Sequence, residues 1–214
     1  MSFDILAPFY RTMEAVTAGQ KLQRCRVAFL DKVSAPRRIL LLGEGHGRFL
    51  LACRRKFPAA SILQVDASAG MLEQSRHSLD KASLTGPEVR FLHQDILTWQ
   101  PSEEPFDLIA SHFFLDCFRP DQLEVVVPRI ATLAAPGASW LLADFQAAAK
   151  GWKRLRSQAI LALMYVFFRF VTRLPASRLT PPDPYLERAG FSLAGREEYD
   201  WGLLHSDWWQ RSMV

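Results

Sequence analysis

Cysteine is scarce in this chain: of 214 residues only Cys25, Cys53 and Cys117 are cysteines, far apart and without CxxC spacing. An odd, scattered set offers neither a disulfide framework nor a zinc knuckle, and it suits a reducing, cytoplasmic setting. Long apolar runs are missing as well. The longest, Ala159 to Phe168, stops at Arg169, well short of the roughly 20 residues that span a bilayer, so no transmembrane helix is expected. The first residues include Asp4 and no apolar stretch ending in a small-residue cleavage site, so no signal peptide is expected. The histidines His46, His77, His93, His112 and His205 show no HxxxH or HExxH spacing, and no metal site is expected. A GxSxG elbow, which a serine hydrolase needs, is absent. Acids are missing from one long stretch: between Lys150 and Pro182 stand Lys150, Lys153, Arg154, Arg156, Arg169, Arg173 and Arg178, with no Asp or Glu. Those cations meet an anionic headgroup, a membrane surface or only water. With a net charge of +4 and no recognisable module of interleaved aromatics, nucleic acid is not the expected partner.

What the chain does contain is enough apolar residue, 49% against 22% charged, for one sizeable core over residues 1–214. Apolar runs alternate with helical patterns, the signature of βαβ units. The runs read as strands are Arg38 to Leu42, Ser61 to Val65, Val89 to His93, Phe106 to Ala110, Ser139 to Ala143, Phe191 to Tyr199 and one after Gly202. Helices are expected near Arg48 to Phe57, Ala69 to Ser83 and Asp121 to Ala135. The fold class is therefore α/β, a doubly wound, mainly parallel sheet that binds ligands at the carboxyl ends of its strands. Two segments break the rhythm. Residues 1–34 read as a helical preface, with Ile5, Phe9, Met13 and Val16 at helix spacing, which could serve as a lid. An inserted segment, 150–182, carries a long helix from Trp152 to Leu174, before a short helix that closes at Gly190 and the final strands of 183–214.

The strand Ile39-Leu40-Leu41-Leu42 runs into Gly43-Glu44-Gly45-His46-Gly47 and then into the helical Arg48 to Ala52. Strand, glycine turn and helix N-terminus together let backbone approach a ligand and offer it free N–H groups. The next strand ends in Gln64-Val65-Asp66, about 20 residues on, where a carboxylate can accept from both hydroxyls of a ribose. The third ends in Gln94-Asp95-Ile96, an acid suited to an adenine amino group, with Ile96 and Met71 able to sandwich the ring. A nicotinamide dehydrogenase shares part of this pattern. It favours GxGxxG, however, and here Arg48 occupies the last glycine position.

Taken in order, these motifs resemble the class I S-adenosylmethionine-dependent methyltransferases, in particular the branch of ubiquinone/menaquinone C-methyltransferases and their small-molecule relatives. The resemblance runs from Phe3 to about Phe145. It rests on Ile39 to Gly47, Val65 to Leu72, Phe91 to Ile96, Phe106 to Ile109 and Leu133 to Leu141. It implies a Rossmann-like seven-stranded sheet and S-adenosyl-L-methionine as cofactor. It carries Gly43, Gly45 and Gly47 to the methionine side, Asp66 to the ribose, Asp95 and Ile96 to the adenine, and Ala67 and Met71 to the adenine pocket. Ser111, just after the fourth strand, is taken to adjoin the cofactor. The sequence departs from the pattern at Leu41, where the family has an acid. Glu44 is the nearest substitute, either reaching the cofactor's ammonium or standing as an exposed loop acid. Tyr10 is either a lid residue over the cofactor or core packing.

Methyl transfer from a sulfonium is an in-line displacement, so alignment and desolvation supply most of the acceleration, and a base is needed only when the acceptor must lose a proton. By the same resemblance, Ser111 to Phe118 faces the reacting methyl. His112, with an unperturbed pKa near 6.5, is the best-placed catalytic base or a substrate-lining residue, and Asp116 is a second candidate. In the inserted helix Ile160, Leu163, Phe167, Phe170, Val171 and Leu174 form an apolar stripe read as core, opposite Arg154, Gln158, Arg169 and Arg173. Tyr165 and Phe168 extend the apolar surface and would roof a pocket for a small, apolar acceptor. A catalytically silent cofactor-binding module, peripheral membrane contact and a homodimer stay open at this point.

Overall fold

The computed structural model describes residues 19–172 and 179–213. Residues 1–18, and with them Tyr10 and the proposed lid positions Ile5, Phe9, Met13 and Val16, lie outside the described residues, as do the side chains of residues 167–178, Phe168 included. The described chain opens with helix α1 (Gly19–Val27) and then alternates: β1 (Arg38–Leu42), α2 (Arg48–Lys56), β2 (Ser61–Asp66), α3 (Ala69–Ala82), β3 (Val89–His93), β4 (Phe106–His112), α4 (Pro120–Ala131) and β5 (Ala134–Phe145). The long α5 (Gly151–Thr172) and short α6 (Asp183–Arg188) precede the closing hairpin of β6 (Phe191–Tyr199) and β7 (Leu204–Arg211).

The strands form one seven-stranded sheet in the order β3-β2-β1-β4-β5-β7-β6. β1 to β5 are parallel, and β7 runs antiparallel to both of its neighbours. β1 is central, and its run Ile39 to Leu42 is buried on both faces, which is why it reads as continuously apolar rather than alternating. Ile39 and Leu41 pack on Phe49, Leu50 and Cys53 of α2. Leu40 and Leu42 face the other way, into the cluster of Val126, Val127 and Ile130 from α4 with Trp140 and Trp209. The order reverses at β1 and β4, so the loops leaving those strands diverge and open a crevice at their carboxyl ends.

Two expectations need correction, and one buried charge carries no signal in the sequence. The helix expected to run to Ala135 ends at Ala131, because Ala134 already pairs with Phe106 of β4, across a bulge. Arg211 Nη1 stops the helix by donating to the carbonyls of Ala131 and Ala134, each at 2.6 Å. The inserted helix is also rotated from its expected setting. Its buried ridge is Ser157, Leu161 and Tyr165, at i, i+4 spacing, with Ile160 and Met164 beside it, whereas Leu163 is 73% exposed. Finally, Arg54 is the largest buried charge in the α2 layer, although the sequence marks it only as one of three basic residues ending a helix. It donates to the carbonyls of Pro58, Ala60 and Pro87, tying the turn before β2 to the loop before β3. Replacing Arg54 with Met strands those acceptors, and equilibrium unfolding in urea is expected to show a loss of about 3 kcal/mol.

Candidate active site

The turn after β1 owes its shape to three glycines in the left-handed region, Gly43 (φ +60), Gly45 (φ +68) and Gly47 (φ +89). Each does a different job. A Cβ at Gly43 would lie 2.3 Å from Cδ2 of Phe114, so backbone and aromatic ring are in direct contact there. A Cβ at Gly45 meets only Met71 Sδ, at 3.9 Å, so this glycine borders open space. A Cβ at Gly47 would sit 2.6 Å from Ser75 Oγ and 3.1 Å from its Cα. Gly47 thus permits the close approach of α2 and α3 and does not line the crevice. Glu44 turns inward: its Oε1 accepts from Phe49 N–H at 2.5 Å, satisfying a donor in the first turn of α2. It is a buried capping carboxylate, which removes the exposed-acid alternative.

Asp66 stands at the tip of β2, where Oδ1 accepts from Ser68 N–H at 2.9 Å. Ser68 in turn caps α3 by accepting from Met71 N–H at 3.2 Å, and so brings Met71 back toward the glycine turn. At the tip of β3 Asp95 accepts from Leu97 N–H at 2.9 Å. Buried Gln64 braces the arrangement from below, accepting from Ser75 Oγ at 2.7 Å and donating to Gly45 O at 3.5 Å. Nothing in the sequence separates it from an ordinary strand residue.

Gly43, Gly45, Asp66, Ala67, Met71, Asp95 and Ile96 line one cavity, partly open to solvent. Its remaining wall comes from the turn after β4, through Phe113, Phe114, Cys117 and Phe118. Phe113 holds φ +54, an uncommon conformation for a bulky residue, and its N–H donates to Ala143 O at 2.6 Å. Phe114 N–H donates to Asp144 Oδ1 at 3.2 Å. Asp144 therefore anchors the aromatic wall, a role the sequence signals only as one more acid at a strand end.

The other residues singled out in that segment lie elsewhere. Ser111 is fully buried and its Oγ accepts from Trp140 Nε1 at 2.8 Å, inside the core rather than on the cavity. His112 points to the α2 face of the sheet, edge-on to Phe49 with centroids 4.3 Å apart, because side chains alternate along β4. Burial, and after it the charge of Arg26, hold the imidazole neutral, well below its ordinary pKa. His112 does not reach the cavity as a base. Asp116 is buried beneath the turn, where its carbonyl accepts from Tyr165 OH at 3.0 Å. Tyr165 thus supports the cavity wall from behind.

Burial pushes the Asp116 carboxyl up to about 6, partly opposed by the Cys117 thiol and His205. Asp144 is raised well above the usual range by burial and by facing Asp116. The Cys117 thiol is raised too, by burial and then by Asp116, so it packs as a neutral wall.

The glycine cradle, the strand-tip carboxylate at Asp66 and the slot between Met71 and Ile96 fit S-adenosylmethionine. With that cofactor in the cavity, Gly43 and Gly45 would give backbone to its methionine group, Asp66 would accept from the ribose hydroxyls and Asp95 would lie by the adenine. The sheet order and flanking helices are those of the Rossmann-like, class I methyltransferase fold. Within it, residues 39–137 match the "Methyltransferase domain" family. The chain is 34% identical over 100 residues to the trans-aconitate 2-methyltransferase of Variovorax paradoxus, covering 47% of this chain and 35% of that protein. Over 105 residues it is 34% identical to the enzyme of the same name from Methylobacterium radiotolerans, covering 49% and 36%. It spans about a third of the length of these curated relatives. Among solved structures, the S-adenosylmethionine-dependent methyltransferase SibL superposes with TM-score 0.70 at 24% identity, over 95% of this chain and 58% of that one. The magnesium protoporphyrin IX methyltransferase of Synechocystis PCC 6803, with bound SAH, gives TM-score 0.65 at 16% identity, over 95% and 87%.

Two outcomes follow. Calorimetry of Asp66→Ala is expected to show cofactor binding weaker by about 1.5 to 3 kcal/mol, the range for losing charge-assisted hydrogen bonds, with the fold retained. For Asp116 the folded state holds a proton that the unfolded state releases, so between about pH 4 and the folded value of about 6 its contribution to stability falls as pH rises. Melting curves of Asp116→Asn should therefore gain on the parent from pH 4 to pH 7, and a constant difference would contradict the assignment.

Proposed function

We propose that the protein transfers a methyl group from S-adenosylmethionine to a small, apolar acceptor by in-line displacement. The observation that carries this reading is the convergence of the Gly43–Gly45 turn, Asp66 and Asp95 on a single cavity that continues into an aromatic wall. The cofactor supplies a methyl group on a sulfonium, whose leaving group is already in place. The chain's own work is then alignment and exclusion of water: Phe113, Phe114 and Phe118 close one side, and Met71 and Ile96 the other.

Among the described lining residues there is no Lys, Arg or His. An anionic acceptor such as aconitate, which the curated relatives' name indicates for them, would find no cationic side chain among those described lining residues. An apolar acceptor meets aromatic rings instead. No described helix is long and apolar enough to cross a membrane. The free thiols of Cys25, Cys53 and Cys117 support a reducing, cytoplasmic setting.

The test is methyl transfer against a panel of apolar phenols, thiols and amines beside trans-aconitate, with cofactor affinity measured in parallel. Turnover is expected with apolar acceptors and not with aconitate. Cofactor binding without turnover across the panel would make the protein a binding module. Phe114→Ala should lower kcat/KM about tenfold or more, through lost alignment, whereas His112→Gln should leave the pH profile of kcat unchanged.

A further inference from the structure

The helix α5 carries two apolar faces, and only one is covered. Ser157, Leu161 and Tyr165 turn inward, onto Leu203 and the Cys117 turn. On the outside lie Trp152, Leu155, Ala159, Ala162, Leu163 and Val166, at spacings of three, four, three, one and three residues, a single stripe about 100° wide. It is open to solvent: Trp152 is 59% exposed, Leu155 71%, Leu163 73% and Val166 52%. Trp201, 61% exposed, extends the stripe at its N-terminal end, with its ring 5.4 Å from that of Trp152. The backbone there is unusual, since Asp200 (φ 48) and Trp201 (φ 58) are both left-handed without being glycine. That turn holds the indole outward, and Lys21 and Arg156 clasp it from beneath through Asp200.

A continuous exposed apolar strip of this kind marks an interaction surface. Its charge selects the partner. Exposed Lys150, Lys153 and Arg154 sit beside its start, and the whole segment from Lys150 to Pro182 holds cations and no acid. Glu198 and Asp200 line the same groove as Lys150 and Lys153, and Asp200 is already paired. Two copies meeting through this face would bring like charges together. A bilayer with anionic headgroups offsets them, while the strip sinks into the acyl boundary and the two indoles sit at the headgroup level.

We propose that the outer face of α5, with Trp201, docks on an anionic phospholipid surface. The surface lies apart from the cavity, so docking stands or falls independently of methyl transfer. Docking would hold the protein by the helix whose inner face supports the cavity wall through Tyr165.

The test is co-sedimentation of the full chain with phosphatidylcholine vesicles, with and without phosphatidylserine, at low and high salt. Binding is expected only with phosphatidylserine, with a blue shift of tryptophan emission, and it should weaken as salt rises. Lys153→Glu with Arg154→Glu should weaken it about tenfold or more. Leu155→Ser with Leu163→Ser, at exposed positions where melting is expected to be unchanged, should abolish the emission shift. No binding, equal binding to neutral vesicles, or binding indifferent to both double variants would overturn the proposal. A concentration-dependent dimer lost on Leu155→Ser with Leu163→Ser would assign the face to a second copy and overturn it as well.

Discussion

No side chain fits at position 43. The left-handed turn that ends β1 brings Gly43 against the ring of Phe114, where a Cβ would come within 2.3 Å of a ring carbon. The glycine cradle and the aromatic wall are therefore one object rather than two neighbouring features. Phe114 is set by its N–H on Asp144 and by the left-handed Phe113 before it. A bulky residue in that conformation costs on the order of 1–3 kcal/mol, which the paired strands on either side offset. Gln64 completes the bracing by tying the glycine turn to Ser75 of α3. A nucleoside site at these strand tips depends on all of these contacts, because each fixes the position of backbone that a ligand must approach.

The electrostatics beneath the wall follow from the same packing. Asp144 and Asp207 are both buried, on adjoining strands. Asp207 receives the Arg196 guanidinium on both oxygens, at 2.7 and 2.6 Å, and its carboxyl is held below the usual range despite burial. Burial, and after it the facing Asp116, raise the Asp144 carboxyl instead, against the pull of its one backbone N–H partner, Phe114. A paired carboxylate stays charged, and an unpaired one holds its proton. The consequence for the site is that the carboxyl directly behind Phe114 is a weaker acid than an exposed aspartate, so it burdens the aromatic wall with less negative charge.

How much of this the sequence discloses depends on the length scale of the signal. β1, β3 and β6 begin and end where their apolar runs do, and the glycine turn and the acids at the tips of β2 and β3 come together as their spacing implies. Those signals are local, and the βαβ alternation makes them additive. The errors arise where one residue of phase matters. His112 and Phe113 are neighbours, yet strand alternation sends His112 to the α2 face, while the turn that follows sends Phe113 to the cavity. On α5 a stripe anchored on Leu163 and one anchored on Leu161 differ by two residues, and two apolar faces on one helix give periodicity nothing to choose with. Arg54, Gln64 and Asp144 act through partners distant in sequence, and no spacing rule encodes those.

The ambiguity of α5 is itself informative. A helix apolar around its circumference is ordinarily enclosed, because solvent exposure of the second face gains nothing for folding. Here the enclosed ridge of Leu161 and Tyr165 already connects the helix to Leu203 and to the turn that lines the cavity. Leu155 and Leu163 add nothing to that attachment, and polar residues at those positions would leave the described core as it is. Their apolar character therefore answers a demand from outside the described core. The cations beside them make that demand specific, since an uncharged apolar partner would have to strip water from lysine and arginine without supplying anything in return. A surface that pairs apolar depth with negative charge at its boundary meets both requirements at once.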